Sequence, residues 1–293
     1  MWQAEHVAAR LRAAHPDLEV EVLAMSTRGD EILDTPLALV GGKGLFTHEL
    51  ERAMLEGRAD LAVHSLKDMP ATLPEGMTLA AVLERADPHD AFVSNQYESL
   101  ESLPDGARVG TSSLRRQSQL KHYRPHLTFE PLRGNVNTRL ARLDAGELDA
   151  IILAAAGLMR LGYDRRVAQL IPAETCLPAI GQGVLGVECL SGANEVIELL
   201  QVLEHRETRV CIEAERSVNR RLGGDCHAPI AAFAQLDGHN LHIRARVASP
   251  DGSRMLVVNE VGPAYDPVAS GEQVAGMLLA QGAADLLAAW VPT

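Results

Sequence analysis

RVGTSSLRRQSQLKHYRPHLTFEPLRGNVNTRLARLDAGELDAIILA, residues 108–154, carries the clearest secondary-structure pattern of the chain. Its periodicity predicts helices over 113–122 and 136–145 and strands over 127–131 and 149–154. Strands that alternate with helices are typical of βαβ units, in which helices cover a parallel sheet. The pattern therefore predicts an α/β lobe centred on this stretch.

The same stretch is basic, although the protein as a whole is acidic. Residues 108–142 carry eight basic side chains against one acid, Glu130, so their formal charge is +7 in a chain of −12, and the rest of the chain carries −19. Seven of the eight are arginines, whose planar guanidinium groups bind carboxylate or phosphate through paired hydrogen bonds. This basic segment indicates a site for a polyanionic ligand. Its members are Arg108, Arg115, Arg116, Lys121, Arg124, Arg133, Arg139 and Arg142.

Nucleic acid binding and internal ion pairing are the two alternatives to a small anionic ligand for the basic segment. Nucleic acid is disfavoured because the charge of −19 elsewhere would repel a long phosphate backbone, and because aromatic residues, at 3%, offer little for base stacking. The arginines could instead pair with acids elsewhere in the fold, which is the better interpretation for any single arginine. For the cluster as a whole we favour a small, multiply charged organic acid.

Length and composition limit the remaining possibilities. At 293 residues the chain is long enough for two domains or slightly more, with 46% hydrophobic residues available for cores. No run of about 18 apolar residues exists, so we expect no membrane span. Residues 1–14 lack the apolar region of a secretory signal, which favours a cytoplasmic protein. The four cysteines show no metal-ligand spacing, so we expect no metal site and predict that Cys176, Cys189 and Cys211 are reduced core residues.

Further elements lie on either side of the basic segment. The preceding elements are a helix over 2–14, a strand over Glu19–Met25, a helix over 45–56 and a strand over Leu61–His64. ADPHDAF (86–92) indicates a connection between two α/β units. The C-terminal pattern predicts a smaller α+β domain, with a long helix ending at Leu222, strands near 229–236, 241–248 and 255–261, and a final helix over 268–289.

Two turns in the basic segment have the sequence of anion sites. GTSSLRR (110–116) and RGNVNTR (133–139) each place a glycine turn and polar residues just before a predicted helix. Free backbone N–H groups at a helix N-terminus, together with the helix dipole, favour an anion. Because the two turns follow neighbouring strands, they predict anion binding at one edge of the sheet.

Other motifs are weaker on their own. GQGVLG (181–186) matches a dinucleotide fingerprint, but the residues that follow it do not open a helix, so we reject that interpretation. In HSLKDMP (64–70), Lys67 and Asp68 follow a strand, where open sheets bind ligands, but from the local sequence alone a turn or capping role for Asp68 is the favoured interpretation. GGKG (41–44) is either a flexible basic lid or an ordinary loop. Cys226, beside a histidine on a glycine-rich turn, could be a reactive thiolate.

Together, these motifs resemble the porphobilinogen deaminase (hydroxymethylbilane synthase) family over essentially the whole chain. The segments that carry the resemblance are TRGD (27–30), LVGGKGLFTHEL (39–50), ADLAVHSLKDMP (59–70), ERADPHDAFVS (84–94), VGTSSLRRQ (109–117), LRGNVNTRL (132–140), DAIILAAAGLMRLG (149–162), LPAIGQGVLGVEC (177–189) and GGDCHAPI (223–230).

The resemblance implies a reaction. The family joins four porphobilinogen molecules head to tail with release of ammonia, and then releases the linear tetrapyrrole hydroxymethylbilane with water. The growing chain is built on a dipyrromethane cofactor, attached through a thioether to a cysteine that corresponds to Cys226. We therefore expect a monomeric, cytoplasmic transferase of porphyrin and heme biosynthesis that needs no nucleic acid, membrane or metal.

The resemblance also implies roles for individual residues. The catalytic carboxylate corresponds to Asp68. Cofactor binding corresponds to Cys226, Arg115, Arg116, Lys67, Ser65 and Ser113. Substrate binding corresponds to Arg133, Arg139, Arg160, Thr111, Ser112 and Lys43.

The implied fold has two lobes like those of periplasmic binding proteins, with mixed, mainly parallel sheets, and a small α+β C-terminal domain. Domain 1 would comprise 1–85 and 184–203, domain 2 would comprise 86–183, and domain 3 would comprise 204–293. The family normally begins with a strand and an Arg-x-Ser-Pro-Leu-Ala segment before the helix that begins here at Trp2. Without that strand we expect poor folding or loss of activity, unless the natural start lies upstream.

Two further functions stay open at the level of sequence. A non-catalytic binding module with two α/β lobes would share the basic cleft but would need no nucleophile, and an inactive relative of the enzyme belongs to the same class. A covalent pyrrole adduct on Cys226 distinguishes the enzyme from both.

Overall fold

The computed structural model describes residues 1–25, 27, 47–224 and 228–289, and their strands form three sheets. The strands are β1 Leu61–Ser65, β2 Met77–Val82, β3 Asp90–Val93, β4 Arg108–Gly110, β5 Thr128–Glu130, β6 Ala150–Ala154, β7 Gln169–Ile171, β8 Leu185–Leu190, β9 Ile230–Asp237, β10 Asn240–Ala248 and β11 Met255–Pro263. The α-helices are α1 Trp2–Ala14, α2 His48–Leu55, α3 Leu114–Tyr123, α4 Val136–Asp144, α5 Ala155–Arg160, α6 Asn194–Leu200, α7 Arg206–Leu222, α8 Pro267–Ala280 and α9 Ala283–Ala288.

The first sheet has the strand order β1-β8-β2, and both pairings are antiparallel. Its core forms because alternate residues of β8, including Val187 and Cys189, pack against apolar side chains of α1 such as Val7 and Leu11. The chain enters this sheet near residue 61 and returns to it at β8 after passing through the second sheet. Two connections therefore join the first and second sheets.

The second sheet has the order β5-β4-β6-β3-β7. Strand β4 pairs in parallel with β5 and β6, whereas β3 pairs antiparallel with β6 and β7. Helices α3 and α4 are the connections of the β4-α3-β5-α4-β6 segment, as the alternation within 108–154 predicts. The parallel strands place the turns after β4 and β5 at one edge, which is where ligands bind in open sheets.

The third sheet is antiparallel, with the order β11-β10-β9, and α7 and α8 cover it. Its core contains residues from all five elements, among them Val218, Ile243 and Val274. The predicted α/β fold class with a smaller α+β C-terminal part is confirmed. Among the helices of the described residues, none has the length and apolar composition needed to cross a membrane.

Two sequence predictions of secondary structure are wrong. The alternating segment Glu19–Met25 forms no strand: Val20 packs against the first core and its carbonyl accepts a hydrogen bond from Arg12. The alternation of polar and apolar residues here therefore reflects packing against the core, since no strand among the described residues pairs with this segment. The predicted helix over 268–289 is broken at Gly282, whose φ of 96° is a left-handed conformation that interrupts the helical run. GQGVLG leads into strand β8, so its rejection as a dinucleotide motif agrees with the structure.

A buried ion cluster links the second sheet to the connections with the first. The carboxylate of Asp90, fully buried at the start of β3, contacts Arg115 Nη2 at 2.8 Å and Arg116 Nη2 at 2.8 Å. Gln182, from the return connection, donates to Asp90 Oδ1 at 2.9 Å and to the carbonyl of Pro88 at 2.7 Å. Burial alone would raise the pKa of Asp90, but the two guanidinium groups and these hydrogen bonds outweigh it and hold the pKa well below its usual range.

Asp90→Asn is expected to lower the free energy of unfolding at pH 7 by about 3–5 kcal/mol, because the amide leaves two buried guanidinium groups without their counter-charge. Since folding lowers the pKa of Asp90, its stabilising contribution is complete well above the unfolded-state pKa of about 3.9 and is lost as the pH falls toward the folded-state value. Urea unfolding of both proteins between pH 7 and pH 3 should show the difference narrowing below about pH 4.

The matched control is Asp105→Asn, the same substitution at an exposed acid. We expect a change within about 0.5 kcal/mol for it. An equal decrease in the free energy of unfolding for Asp90→Asn and Asp105→Asn would contradict the stabilising role of Asp90.

Candidate functional site

A cleft lies where elements of the three sheets meet. It contains about 520 Å³ of empty space, a volume that includes space open to solvent. Its lining includes three basic side chains, several apolar side chains and no acid. The lining residues are Leu66, Lys67, Met69, Ala71, Ser113, Arg115, Ala179, Ile180, Arg216, Asn219, Ala228 and Ile230.

One wall of the cleft is the short 3₁₀ turn Leu66–Asp68 at the end of β1. Leu66 is buried, and its N–H donates to the carbonyl of Val184 at 3.0 Å, so the turn is anchored to the segment before β8. Gly186 is needed beside it, because a Cβ at this position would lie 2.8 Å from Leu66 Cδ1. The anchored turn leaves the side chain of Asp68 exposed. Ser65, one residue before the turn, accepts a hydrogen bond from Gln3 Nε2 at 2.6 Å.

Lys67 is half-buried beside the basic side chains of the second sheet. Burial lowers its pKa to about 8; Arg116 and Arg115 also lower it, and Asp68 and Asp90 act in the opposite direction. Lys67 therefore carries its charge at neutral pH and loses it in mildly alkaline solution.

The opposite wall begins with the turn that joins β4 to α3. Gly110 packs tightly against the core of the second sheet, since a Cβ there would lie 2.6 Å from Leu148 Cδ1. Thr111 Oγ1 accepts from the N–H of Ser113 at 3.2 Å, and Ser112 Oγ exchanges hydrogen bonds with the backbone of Leu132 at 3.0 and 3.1 Å. Ser113 is the N-cap of α3, and its side chain makes no capping bond. The turn thus places the N-terminus of α3 and the Ser113 side chain at the cleft.

Arg115 and Arg116 are held by the interior of the protein rather than extended into solvent. They are 5% and 6% exposed and share the carboxylate of Asp90. Arg115 also donates to the carbonyl of Leu177 at 2.6 Å, and Arg116 donates to that of Ile152 at 3.1 Å. Arg115 also lines the cleft, and because a guanidinium group has five N–H bonds it has donors beyond those used in these contacts.

The second predicted anion turn contributes Arg133 and Arg139. Gly134, between β5 and α4, has a φ of 96° and brings the backbone close to Thr138. Arg139 Nε donates to the carbonyl of Gly134 at 2.7 Å, which folds this side chain back over the turn. Burial lowers the pKa of Arg139 to about 10; Arg116 and Arg133 contribute to the decrease, and Asp68 opposes it. The structure therefore brings Arg139 near both Arg116 and Asp68.

Arg160 lies at the return connection between the sheets. Its Nη2 donates to the carbonyl of Gly183 at 2.8 Å, and its guanidinium group lies 5.6 Å from the ring centroid of Trp2. Burial lowers its pKa. Arg160 thus contacts both the second connection and helix α1.

Four other basic residues of the segment lie outside this arrangement. Arg108 pairs with Asp149 and Arg142 with Glu147, Arg124 donates to three backbone carbonyls between residues 100 and 103, and Lys121 lies in the last turn of α3. Pairing within the protein is therefore the correct interpretation for Arg108 and Arg142. The net charge of the segment overstated the size of the anion site.

Two predicted site residues, Lys43 and Cys226, lie outside the described residues. Ala228, two positions after Cys226 in the chain, lines the cleft. Cys176, Cys189 and Cys211 are buried and free, as predicted for core cysteines, and burial raises the pKa of Cys176 to about 12 and that of Cys211 to about 11. No group of three or more metal-ligating side chains with suitable geometry occurs in the described part of the chain.

Sequence reasoning missed Asp90, Arg216 and Asn219. Asp90 occurs in a motif that indicated only a connection, and its value as a counter-ion depends on two arginines distant in the sequence. Arg216 and Asn219 lie one turn apart on α7, where nothing in the local pattern separates them from ordinary surface positions. Their place in the cleft follows from the packing of α7 against the turn of Asp68.

Comparisons with solved structures find two-lobed binding proteins. One is the periplasmic VFT2 domain of BvgS from Bordetella pertussis, with 15% identity, a TM-score of 0.40 and coverage of 68% of this chain and 75% of that one. Another is a periplasmic substrate-binding protein of an ABC transporter from Coxiella burnetii, with 13% identity, a TM-score of 0.44 and coverage of 69% and 86%.

Two family models match most of the chain. Residues 1–198 match the dipyrromethane cofactor binding domain of porphobilinogen deaminase, and residues 209–280 match the C-terminal domain of the same enzyme. Members polymerise porphobilinogen to hydroxymethylbilane, as deaminating transferases of porphyrin and heme biosynthesis that carry a dipyrromethane cofactor. A non-catalytic binding module is not favoured. The chain belongs to the porphobilinogen deaminase family.

Proposed function

We propose that this cleft carries out hydroxymethylbilane synthesis, with Asp68 as the catalytic carboxylate and Cys226 as the point of cofactor attachment. The observation that carries the proposal is that Lys67 and Arg115 line one cavity, while Asp68 and Arg116 lie close enough to act electrostatically on both Lys67 and Arg139. Ala228 at the cavity wall supports an attachment point in the adjacent residues.

The cleft fits a dipyrromethane. Apolar side chains such as Leu66, Met69 and Ile230 offer surfaces for pyrrole rings, and Lys67, Arg115 and Ser113 offer donors for the acetate and propionate groups. Ser65 and Arg116 would complete its binding site. When bound, the cofactor supplies the reactive pyrrole position to which the first substrate is joined.

The remaining basic residues would hold the substrate and the growing product. Each pyrrole unit has two carboxylates, which are costly to remove from water unless they are paired. Hydrogen bonds to charged groups contribute about 1.5–3 kcal/mol each, so a set of such bonds retains the chain firmly. The side chains that we assign to this task are Arg133, Arg139, Arg160, Thr111, Ser112 and Lys43.

Asp68 is placed to act on the reacting pyrrole. As ammonia leaves porphobilinogen, positive charge develops on the ring, and a fixed carboxylate near the pyrrole N–H stabilises that charge. The same carboxylate can transfer the proton to the departing amine and accept the proton lost from the attacked carbon. Its exposure next to Lys67, which lines the cleft, and its place on a turn anchored by buried Leu66 support this role.

We also propose the domain division 1–85 with 184–203, 86–183, and 204–293. The contacts of Gln182 and Arg160 with the two connections support boundaries near residues 86 and 184. Repeated additions of substrate to the growing chain would require the domains to shift relative to one another at these boundaries. A cytoplasmic location and a monomeric state remain predictions.

The first test is the intact mass of the purified protein. We expect a mass above that of the sequence by one dipyrromethane, because the cofactor is bound through a thioether. Cys226→Ser should lose this increment and all turnover, whereas Cys211→Ser, at a buried core cysteine, should keep the increment. A wild-type mass equal to the bare sequence would contradict the proposed function.

Asp68→Asn should lower kcat by about 100-fold or more, in the range seen when one group that stabilises transition-state charge is removed. The neutral amide keeps the shape of the side chain, so the cofactor increment should persist. Turnover is measured as hydroxymethylbilane formed from porphobilinogen. Asp60→Asn, at an exposed acid just before the other end of β1, is the control and should retain wild-type kcat. Equal activity of the two variants would exclude Asp68 from the chemistry.

The pH dependence of kcat/KM should reflect Lys67. Below about pH 8 its ammonium group pairs with cofactor carboxylates and adds positive charge to the cleft that the anionic substrate enters. Above that pH it becomes neutral, so kcat/KM should fall as the pH rises through about 8. In Lys67→Arg this fall should shift to higher pH because a guanidinium group stays charged. Lys121→Arg, at the end of α3, should keep the wild-type profile. An unchanged profile in Lys67→Arg would assign the titration to another group.

A further inference from the structure

Arg216 joins the helix that precedes Cys226 to the segment that carries Asp68. It lies on α7, which packs on the third sheet, and its side chain crosses to the first. One nitrogen, Nη2, donates to the carbonyl of Pro70 at 2.8 Å and to that of Ala71 at 3.1 Å. Pro70 and Ala71 are the second and third residues after the turn Leu66–Asp68, and they lie about 145 positions before Arg216 in the sequence.

An apolar contact from the same helix accompanies these hydrogen bonds. Ile212, one turn before Arg216, is fully buried in a cluster with Leu66 and Met69. Leu66 and Met69 are the neighbours of Lys67 and Asp68. Helix α7 therefore holds the turn through side-chain packing on one side of Asp68 and through carbonyl hydrogen bonds on the other.

Arg216 is not needed for any internal ion pair. Its side chain is 7% exposed, and no carboxylate of the described residues forms a salt bridge with it. Burial lowers its pKa to about 10, with a further decrease from Arg220 and Arg209 and an opposing effect of Glu188, so it remains charged at neutral pH. A buried cation that is bound only to two backbone carbonyls indicates that those carbonyls are what it serves to hold.

We propose that Arg216 is a positioning residue, which fixes the 68–71 segment from helix α7 and so sets the location of the Asp68 carboxylate relative to the cofactor. This inference rests on the proposed role of Asp68. Its physical reason is that Asp68 is exposed and lies on a three-residue turn, so its position depends on the anchoring of the backbone on either side. A displacement of about 1 Å at a reacting group can cost about 100-fold in rate.

Arg216→Gln should lower kcat by about 10- to 100-fold while KM changes less than about threefold, because the residues that we assign to substrate carboxylates are untouched. The cofactor increment in the intact mass should persist. Arg216→Lys should recover part of the activity, since an ammonium group can still donate to a carbonyl. Arg220→Gln removes an exposed charge from the next turn of α7 and should leave kcat unchanged.

A double-mutant cycle separates positioning from general structural damage. If Arg216 acts through Asp68, then Arg216→Gln should reduce kcat little further in the Asp68→Asn background, whereas independent effects would multiply. Multiplying effects would overturn the proposal, as would a loss of the cofactor or a large rise in KM, which would assign Arg216 to ligand binding. Should Arg216→Gln fail to fold, the same cycle with Arg216→Lys decides the question. Failure of the proposed function would be recognised separately, by an inactive wild type without the mass increment.

Discussion

The arrangement of the cleft depends on one buried carboxylate, that of Asp90. It receives Arg115 on one oxygen, and Arg116 and Gln182 on the other. Two adjacent arginines at the start of a helix would repel each other and take up many conformations in water. The shared acid neutralises part of their charge and fixes both guanidinium planes, so that Arg115 lines the cleft already oriented. Such preorganisation reduces the conformational entropy that ligand binding must otherwise overcome.

The same interaction accounts for the limited charge of the site. Asp90 with its two arginines carries a net charge of +1, so the site does not present the full charge that the basic segment suggested. Lys67 supplies further charge at the cleft, and Arg139 adds charge close to Arg116 and Asp68. Distributed charge suits a ligand whose carboxylates are spread over several rings. A concentrated patch would suit a compact phosphate better.

The sequence alone predicts much of the fold but fewer of the residues that form or support the candidate site. The pattern within 108–154 correctly predicted α3, α4, β5 and β6. The two helices are long enough to show their period, whereas β5 has only three residues and was indicated by its place between two predicted helices. The segment Glu19–Met25 shows the limit of that reasoning, since alternate burial does not reveal whether a strand has a partner. The assignment of Asp68 and Cys226 came from resemblance to a family; local pattern alone left a turn role for Asp68 open. Asp90 and Arg216 were missed because their partners are distant in the sequence.

Helix α7 makes several contacts with distant parts of the chain through two consecutive residues. Glu215 is fully buried and accepts hydrogen bonds from the N–H groups of Gly181 and Ala234 and from Arg85, while Arg216 reaches the backbone after Asp68. These links between α7, the first sheet and the return connection are buried, where removing one partner is costly.

The links between the second and third sheets are of a different kind. Arg244 pairs with the largely exposed Glu174, and exposed pairs of this sort contribute about 0–1 kcal/mol. Arg246 adds hydrogen bonds to the carbonyl of Glu174 and to Gln119. Helix α7 and the segment that follows Asp68 are thus joined by buried contacts. The polar contacts between the second and third sheets are more exposed, and the return connection adds a buried apolar contact to the third sheet through Leu177 and Phe233. Under the proposed mechanism, the buried contacts of α7 would keep Asp68 in place while the product lengthens over repeated additions.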